Sequence, residues 1–469
     1  MNKRDEHAKQ SSGRSSTERL TPRHWIYFTL ITLVLLSDGM DVTIVSHVFP
    51  TLIKSWGVSV GGGIAFVVAV GFLSMGLGAV VAGGLSDRWG RKSVLIGSVV
   101  VFGGATALGG TAGDFTAFAA WRILACLGMG AAMASGNTLL ADLIPERRRA
   151  ALLATAYAGV GLGTTVGAAL AGTLLPTSGW RVLLVVGGLI PLAIIAVLAA
   201  VVPESPAFVS AKRRTGGAAF PASQGQERRA HGSSVLRPGF EAPVSSTILA
   251  PPLTPTTVLL WLFGFFSLGT QLLIAQYLPT LLQLPVPGLD TLQSSTIVGV
   301  YGFASVLGGV ILGAILARAS RFLIIGIVLG LAAVMSVVVY LLPDPEFGSL
   351  IVVLGITGFI LPTAFGPTRS VLAAMAYPAH VRGAGIGVAE FGGRLGAAAG
   401  GVAGGTLIAA GTGLSGLFLI LLLPIGVLLG SLAGLRRQAR RTRLPEPTGV
   451  SPTGPAPAEG ATARATAAE

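Results

Sequence analysis

GGLSDRWGRK, residues 83–92, is the stretch whose reading decides the fold. An apolar run at 61–83 precedes it and another at 93–112 follows, so its charges occupy a turn too short to be a domain. An echo stands 230 residues on, where Gly313-x-x-x-Ala317-Arg318-x-Ser320-Arg321 repeats the spacing of Gly83-x-x-x-Asp87-Arg88-x-Gly90-Arg91. Pro145 and Arg149 recur as Pro378 and Arg382 at an offset of 233, and at that offset Gly159, Gly163, Gly167 and Ala171 match Gly392, Gly396, Gly400 and Gly404. Small residues every fourth position make a groove along one helix face and let another backbone approach. Self-similarity of this kind implies two related helical bundles with a binding site between them.

The surroundings of the turn are lipid-soluble. The chain of 469 residues is 52% hydrophobic and only 11% charged, too few charges to cover a water-exposed surface of that size. Six apolar runs (25–48, 61–83, 93–112, 116–141, 150–176, 180–201) are followed by a polar gap and six more (256–283, 294–317, 322–342, 349–376, 383–410, 414–435). Each is about 20 residues or longer, the length a helix needs to cross the hydrocarbon core. Backbone amides in lipid must be bonded within their own segment, so spans of this apolarity are helices; the short alternating segments of a β-barrel are missing.

The net charge of +13 raises the question of nucleic acid. All but five of the 32 Lys and Arg residues fall in the tails, the central loop or the turns on one side of the membrane; the exceptions are Lys54, Arg122, Arg181, Arg369 and Arg394. That asymmetry is the positive-inside pattern and predicts cytoplasmic termini. DNA binding would gather the charge on one folded face with base-reading side chains. The lone Cys126 excludes an intrachain disulfide. The first run carries acids and has no small-residue cleavage site, so it reads as a retained helix. No HExxH or Walker lysine motif is present, the five histidines are scattered, and Gly159-x-Gly161-x-Gly163 follows no strand, so neither catalysis nor a cofactor or metal is expected.

Ionisable residues inside the spans are the candidates for function. Asp38 and Asp41 are three apart and share a helix face. Counting about 1.5 Å per residue from His24 places Asp38 near the bilayer midplane and Asp41 a little beyond it. Burial disfavours a charged carboxylate and a like-charged neighbour disfavours it further, so such a pair can gain a proton on one side and lose it on the other. The plainer alternative is a pair of structural acids facing polar partners or a water cavity. Which of the two would carry the proton is open.

Arg122 keeps its charge in apolar surroundings. It can pair with an acid of the first span, grip substrate, or snorkel to the outer headgroups. Arg394 lies twelve residues into the eleventh span, where the first half has Gly161. Its planar guanidinium can hold a carboxylate through two parallel hydrogen bonds. Glu390, one turn earlier on the same face, is its rival partner. Arg369 lies toward the cytoplasmic end of the tenth span, within reach of headgroups. Gln271, Gln276, Tyr277 and Tyr301 can each hydrogen-bond a substrate in a midplane cavity or simply tie helices together. Trp25, Trp56 and Trp180 fit interfacial anchoring.

From residue 20 to 436 the chain resembles the major facilitator superfamily, and within it the aromatic acid:H⁺ symporters. Gly83-x-x-x-Asp87-Arg88-x-Gly90-Arg91-Lys92 matches the superfamily's loop signature between its second and third helices. The narrower resemblance rests on Asp38-Gly39-x-Asp41, Arg122-x5-Gly128-x-Gly130 and Asp142-x-x-Pro145-x-Arg147-Arg148-Arg149. It rests also on Pro203-Glu204-Ser205-Pro206, Leu278-Pro279, and Tyr377-Pro378 through Arg382 to Gly393-Arg394. The chain departs from that pattern at Asp142, Cys126 and Met375, where Glu, Gly and Glu are usual, at Ala317, where the repeat has lost its acid, and at Glu390, an added one.

The resemblance implies an all-α membrane fold of twelve transmembrane helices in two pseudo-symmetric six-helix bundles, and proton-coupled import of small aromatic carboxylates by alternating access. It implies that Gly83, Asp87, Arg88, Gly90 and Arg91 form a cytoplasmic gate, with Asp142, Arg149 and Arg382 in the same charge network. Asp38, Asp41 and Arg122 become the proton-coupling group. Arg394, with Glu390, Gln271, Gln276, Tyr277 and Tyr301, becomes the substrate site. The expected layout is a cytoplasmic tail (1–24), a first bundle (25–201), a cytoplasmic loop (202–254), a second bundle (255–435) and a disordered tail (436–469). The expected partners are a small organic anion, protons and the lipid of the inner membrane, with the chain acting as a monomer. The same fold also serves drug/H⁺ antiporters and importers of other organic anions; a membrane receptor that no longer transports is the reading from a different class.

Overall fold

The computed structural model describes residues 20–214, 253–316, 320–342, 346–377 and 382–441. Most of the expected outer tails and of the central loop lies outside these residues, as do Ala317, Arg318 and Pro378 of the repeat; the described ends of the tails, 22–24 and 436–441, are helical. The first half contains α1 (Pro22–Trp56), α2 (Val60–Trp89, opening with a π-helical turn), α3 (Arg91–Gly109) and α4 (Phe115–Leu143). The continuous helix Glu146–Val201 breaks at Gly179, whose φ of 81° no helix accommodates; the part before the break is α5 and the part after it α6. A short helix, Pro206–Arg214, follows. The second half contains α7 (Thr254–Leu282), α8 (Thr291–Leu316), α9 (Arg321–Tyr340), α10 (Phe347–Ala376) and α11 (Arg382–Ala409). It closes with α12, which runs as Leu414–Ile420 and continues as Leu422–Arg441.

Ten stretches of the described residues are long and apolar enough to cross a membrane; one of them, Ala151–Val201, spans the break between α5 and α6, and the glycine-rich α11 is a further helix beside them. Large apolar side chains such as Phe66, Leu77, Val310 and Leu323 stand exposed on the outer surface. That is unfavourable in water and the natural state in lipid.

The glycine stripes do what their spacing predicts. A Cβ on Gly163 would collide with the carbonyl of Leu36, and one on Gly167 would come within 2.6 Å of the carbonyl of Met40, so α5 lies directly on the backbone of α1. In the second half, Gly396 and Gly400 press against the carbonyls of Phe265 and Gly269, so α11 lies on α7 in the same way. The two halves therefore use one packing device at matched positions.

Between the halves the contact is one-sided. In α5 and α8, Thr165 donates to the carbonyl of Gly299 at 3.1 Å, and a Cβ on Gly172 would sit 3.0 Å from Ser295. In α2 and α11, a Cβ on Gly401 would meet Val68 at 2.6 Å, and one on Gly61 would meet Ala409 at 3.0 Å. All of these lie in the half of each helix distant from the chain termini. At the other end, a Cβ on Gly83 or Gly84 of α2, or on Gly309 or Gly313 of α8, would meet nothing. Among the described residues, the glycine contacts between the halves thus lie at the far end, and these four glycines stand open toward the end that carries the start of α1 and the end of α12.

Candidate functional site

The two acids of α1 lead different lives. Asp41 is fully buried; one carboxylate oxygen accepts from Thr106 of α3 at 2.8 Å and the other is bound by the guanidinium of Arg122 of α4. Arg122 is itself only 7% exposed, so it neither snorkels to headgroups nor enters a cavity between the halves. The pair is a closed ionic contact inside the first bundle. Asp38, one turn nearer the termini, is also buried, but its Oδ1 has no hydrogen-bond partner. Arg394, Asp41 and Arg122 are the charges within electrostatic range of it.

Arg394 reaches from α11 toward the first bundle. Its Nη1 lies 3.0 Å from the sulfur of Met75 in α2 and its Nη2 lies 4.0 Å from that of Met133 in α4. Among the described residues it forms no ion pair with a carboxylate. Room for it is made by Gly76 of α2, where a Cβ would stand 3.7 Å from that of Arg394. The matched position in the first half, Gly161, is small because there α5 touches Ser305 and Val306 of α8. The symmetry of the halves is broken at this position, glycine in one and arginine in the other.

Glu390 does not neutralise Arg394. It is bound instead by Arg369 of α10, whose Nε and Nη2 reach its two oxygens at 3.1 and 3.2 Å. This corrects the expected reach of Arg369 to headgroups: its side chain is 12% exposed and committed to Glu390. Facing this group from the first bundle is Tyr157 of α5, which lies within electrostatic range of Glu390, Arg394 and Arg369. Asn137 of α4 donates to the Tyr157 hydroxyl at 3.4 Å, and its own Oδ1 is buried without a partner. Tyr157, Asn137, Met75 and Met133 were not anticipated. A signal existed, since Tyr157 and Glu390 are counterparts at the 233-residue offset.

The polar residues of α7 and α8 divide. Tyr277 is fully buried and donates to the carbonyl of Gly401 at 2.8 Å, so it ties α7 to α11. Tyr301 is buried on α8 against Gly358 of α10. Gln276 is buried with its Oε1 unpartnered, and half-buried Gln271 lies close to Gly366 of α10. Trp56 and Trp180 stack edge-on at 5.3 Å beside Phe118, with the Arg181 guanidinium 4.6 Å over the Trp180 ring, whereas Trp25 is exposed.

At the termini end, the loop between α2 and α3 is clamped by the segment after α6. Gly90 has φ 98°, which favours glycine, and a Cβ there would strike the carboxylate of Glu204. Glu204 accepts from the backbone amides of Lys92 and Ser205, each at 2.9 Å, and so sits at the N-terminus of α3 where negative charge is favoured. Arg91 binds Asp142 of α4 and donates to Ser205 at 2.7 Å, and Ser205 donates to Asp142 at 2.6 Å. The network lies within the first half. Asp87 and Arg88 are exposed and, among the described residues, form no ion pair across to the second half. Arg149 has a buried Nε without a partner, and Arg382 opens α11 with its side chain outside the described residues. Among the described residues, no group of three or more His, Cys, Asp or Glu comes together that would hold a metal ion.

Comparison with known proteins supports this architecture. The family model of the Major Facilitator Superfamily matches residues 31–366. Relatives include a gallate transporter of Pseudomonas putida, 31% identical over 417 residues that cover 85% of this chain and 89% of that one. A 4-hydroxybenzoate transporter of the same organism is 30% identical over 419 residues, covering 86% and 91%. Among solved structures, a D-xylose-proton symporter superposes with a TM-score of 0.63 at 17% identity over 87% of this chain and 95% of that one, which speaks to the fold alone. A family match across most of the helices, relatives at about 30% identity that are transporters, and a duplicated helical architecture lead to one conclusion: the chain belongs to the major facilitator superfamily and is a membrane transporter, not an enzyme.

Proposed function

We propose that the protein imports small aromatic carboxylates together with protons, by alternating access between its two bundles. The observation that carries this is Arg394, a guanidinium that reaches from the second bundle to the first and meets no carboxylate there. A half-buried guanidinium with no carboxylate partner among the described residues is poorly satisfied, and an anionic substrate supplies the missing charge through bidentate hydrogen bonds. The sulfurs of Met75 and Met133 beside it suit an aromatic ring, with which thioethers make favourable contacts. The named substrates of the relatives, gallate and 4-hydroxybenzoate, are anions of this kind.

Asp38 is the proton carrier in this reading. It is buried, lacks a partner on Oδ1, and feels Arg394 across the cleft. When Asp38 is charged it competes with substrate for Arg394; when it is protonated the guanidinium is free for the anion. Asp41 and Arg122 satisfy each other and hold the frame in which Asp38 works. The conformation described opens toward the termini, which the positive-inside pattern assigns to the cytoplasm of the inner membrane. In this reading Asp87 and Arg88, exposed here, close that mouth against the second bundle in the opposite conformation, with Arg91 and Asp142 bracing the loop.

The test is uptake of labelled 4-hydroxybenzoate by the purified protein in liposomes under an inward proton gradient. Accumulation that a protonophore abolishes supports the reading. Export of hydrophobic cations with no acid uptake, which would make the protein a drug antiporter, would sink it.

A further inference from the structure

We propose that Glu390, oriented by Arg369, is a second recognition point in the cleft that accepts the hydrogen of a ring hydroxyl, so that the preferred substrates are hydroxylated aromatic carboxylates. This rests on the reading of Arg394 as the carboxylate anchor and adds a polar end to the site. Glu390 lies one helical turn from Arg394 on α11, nearer the open mouth.

Three observations distinguish Glu390 from a counter-ion. First, its side chain remains 36% exposed while that of its partner Arg369 is only 12% exposed, so the acid is the accessible member of the pair. Second, Arg369 takes one bond on each carboxylate oxygen. A carboxylate offers about four acceptor sites, so among the described residues Glu390 keeps acceptor capacity beyond the two bonds from Arg369. Third, the opposite wall is polar at the matched position. Tyr157, the counterpart of Glu390 at the 233-residue offset, lies within electrostatic range of it and is joined by Asn137. A phenolic hydroxyl entering between them donates to Glu390 and can accept from Tyr157, with the ring carboxylate on Arg394. Arg369 is a positioning residue: it fixes the carboxylate rotamer and offsets its repulsion of an anionic substrate.

The experiment measures binding of benzoate, 4-hydroxybenzoate and 4-fluorobenzoate to the purified transporter, by competition against labelled 4-hydroxybenzoate. Fluorine is close to hydroxyl in size but donates no hydrogen bond. One charge-assisted hydrogen bond corresponds to about tenfold in affinity or more. The wild type is expected to bind 4-hydroxybenzoate about tenfold more tightly than either analogue. In the double variant E390M/R369M, which removes both charges together, the three should bind within about twofold of each other. Wild-type protein that binds 4-fluorobenzoate as tightly as 4-hydroxybenzoate overturns the proposal without any variant, and so does a double variant that keeps the preference. Wild-type protein that binds all three equally well retains the anchor at Arg394 and loses the subsite; protein that binds none loses both.

Discussion

Replacing Asp41 and Asp38 in turn by asparagine separates the two acids of α1. Asp41→Asn leaves Arg122 charged and buried with its ionic partner gone, inside a bundle where it is 7% exposed. Breaking one side of a buried pair costs about 3–5 kcal/mol. Thr106 can still donate to the new amide oxygen, which retains part of the frame, so the lower end of that range is expected. Asp38→Asn removes no hydrogen bond at Oδ1, since none is made there, and should cost less than about 1 kcal/mol. Unfolding in mixed micelles, followed by tryptophan fluorescence against detergent denaturant, measures both. The double variant D41L/R122M removes both charges and should recover most of the loss, because an apolar replacement of a buried pair is often neutral. Uptake should show the opposite ranking in kind. Asp38→Asn folds normally and cannot accumulate substrate against a gradient, whereas Asp41→Asn is deficient mainly because less folded protein is present. An Asp41→Asn protein as stable as wild type, or an Asp38→Asn protein with full uphill uptake, refutes this division of labour.

Other expectations follow from the same contacts. Arg394→Lys retains the charge but loses the planar fork, and should raise the KM for an aromatic carboxylate about tenfold or more, read from initial uptake rates. Gly163→Leu forces a side chain into the backbone of α1 and should abolish the folded protein, seen as loss of a monodisperse peak in detergent. Gly90→Ala strains a φ of 98° and strikes Glu204, which should cost about 1–3 kcal/mol in the same micelle assay. Tyr157→Cys, in a chain whose native Cys126 is buried, should be labelled by a membrane-impermeant thiol reagent from the termini side and shielded by bound substrate.

How much of this was legible beforehand depends on the kind of feature. The glycine stripes at Gly159, Gly163 and Gly167 and at Gly392, Gly396 and Gly400 were readable because a helix repeats nearly every fourth residue. Their effect is backbone against backbone, with no side-chain choice to make. The loop at Gly90 was recognisable as a motif, but the partner that clamps it, Glu204, stands 114 residues away and had only a family resemblance to mark it. Tyr157 and Asn137 passed unremarked because a single polar group in an apolar span looks the same whether it lines a cleft or ties two helices. Tyr277 shows the converse: of its two readings, substrate contact or tie between helices, the bond to Gly401 matches the second.

Length, apolarity and helical rise settle from the sequence that this chain crosses the membrane many times and at what depth each ionisable residue lies, because a helix advances about 1.5 Å per residue whatever its neighbours. Which charge answers which was decided only by the tertiary structure. Glu390 is one turn from Arg394 yet belongs to Arg369, and Asp41 belongs to Arg122 while Asp38 looks across the cleft. Pairing depends on how each helix is rotated about its axis, and that rotation is set by the packing of glycine faces from the whole bundle, which no local spacing contains.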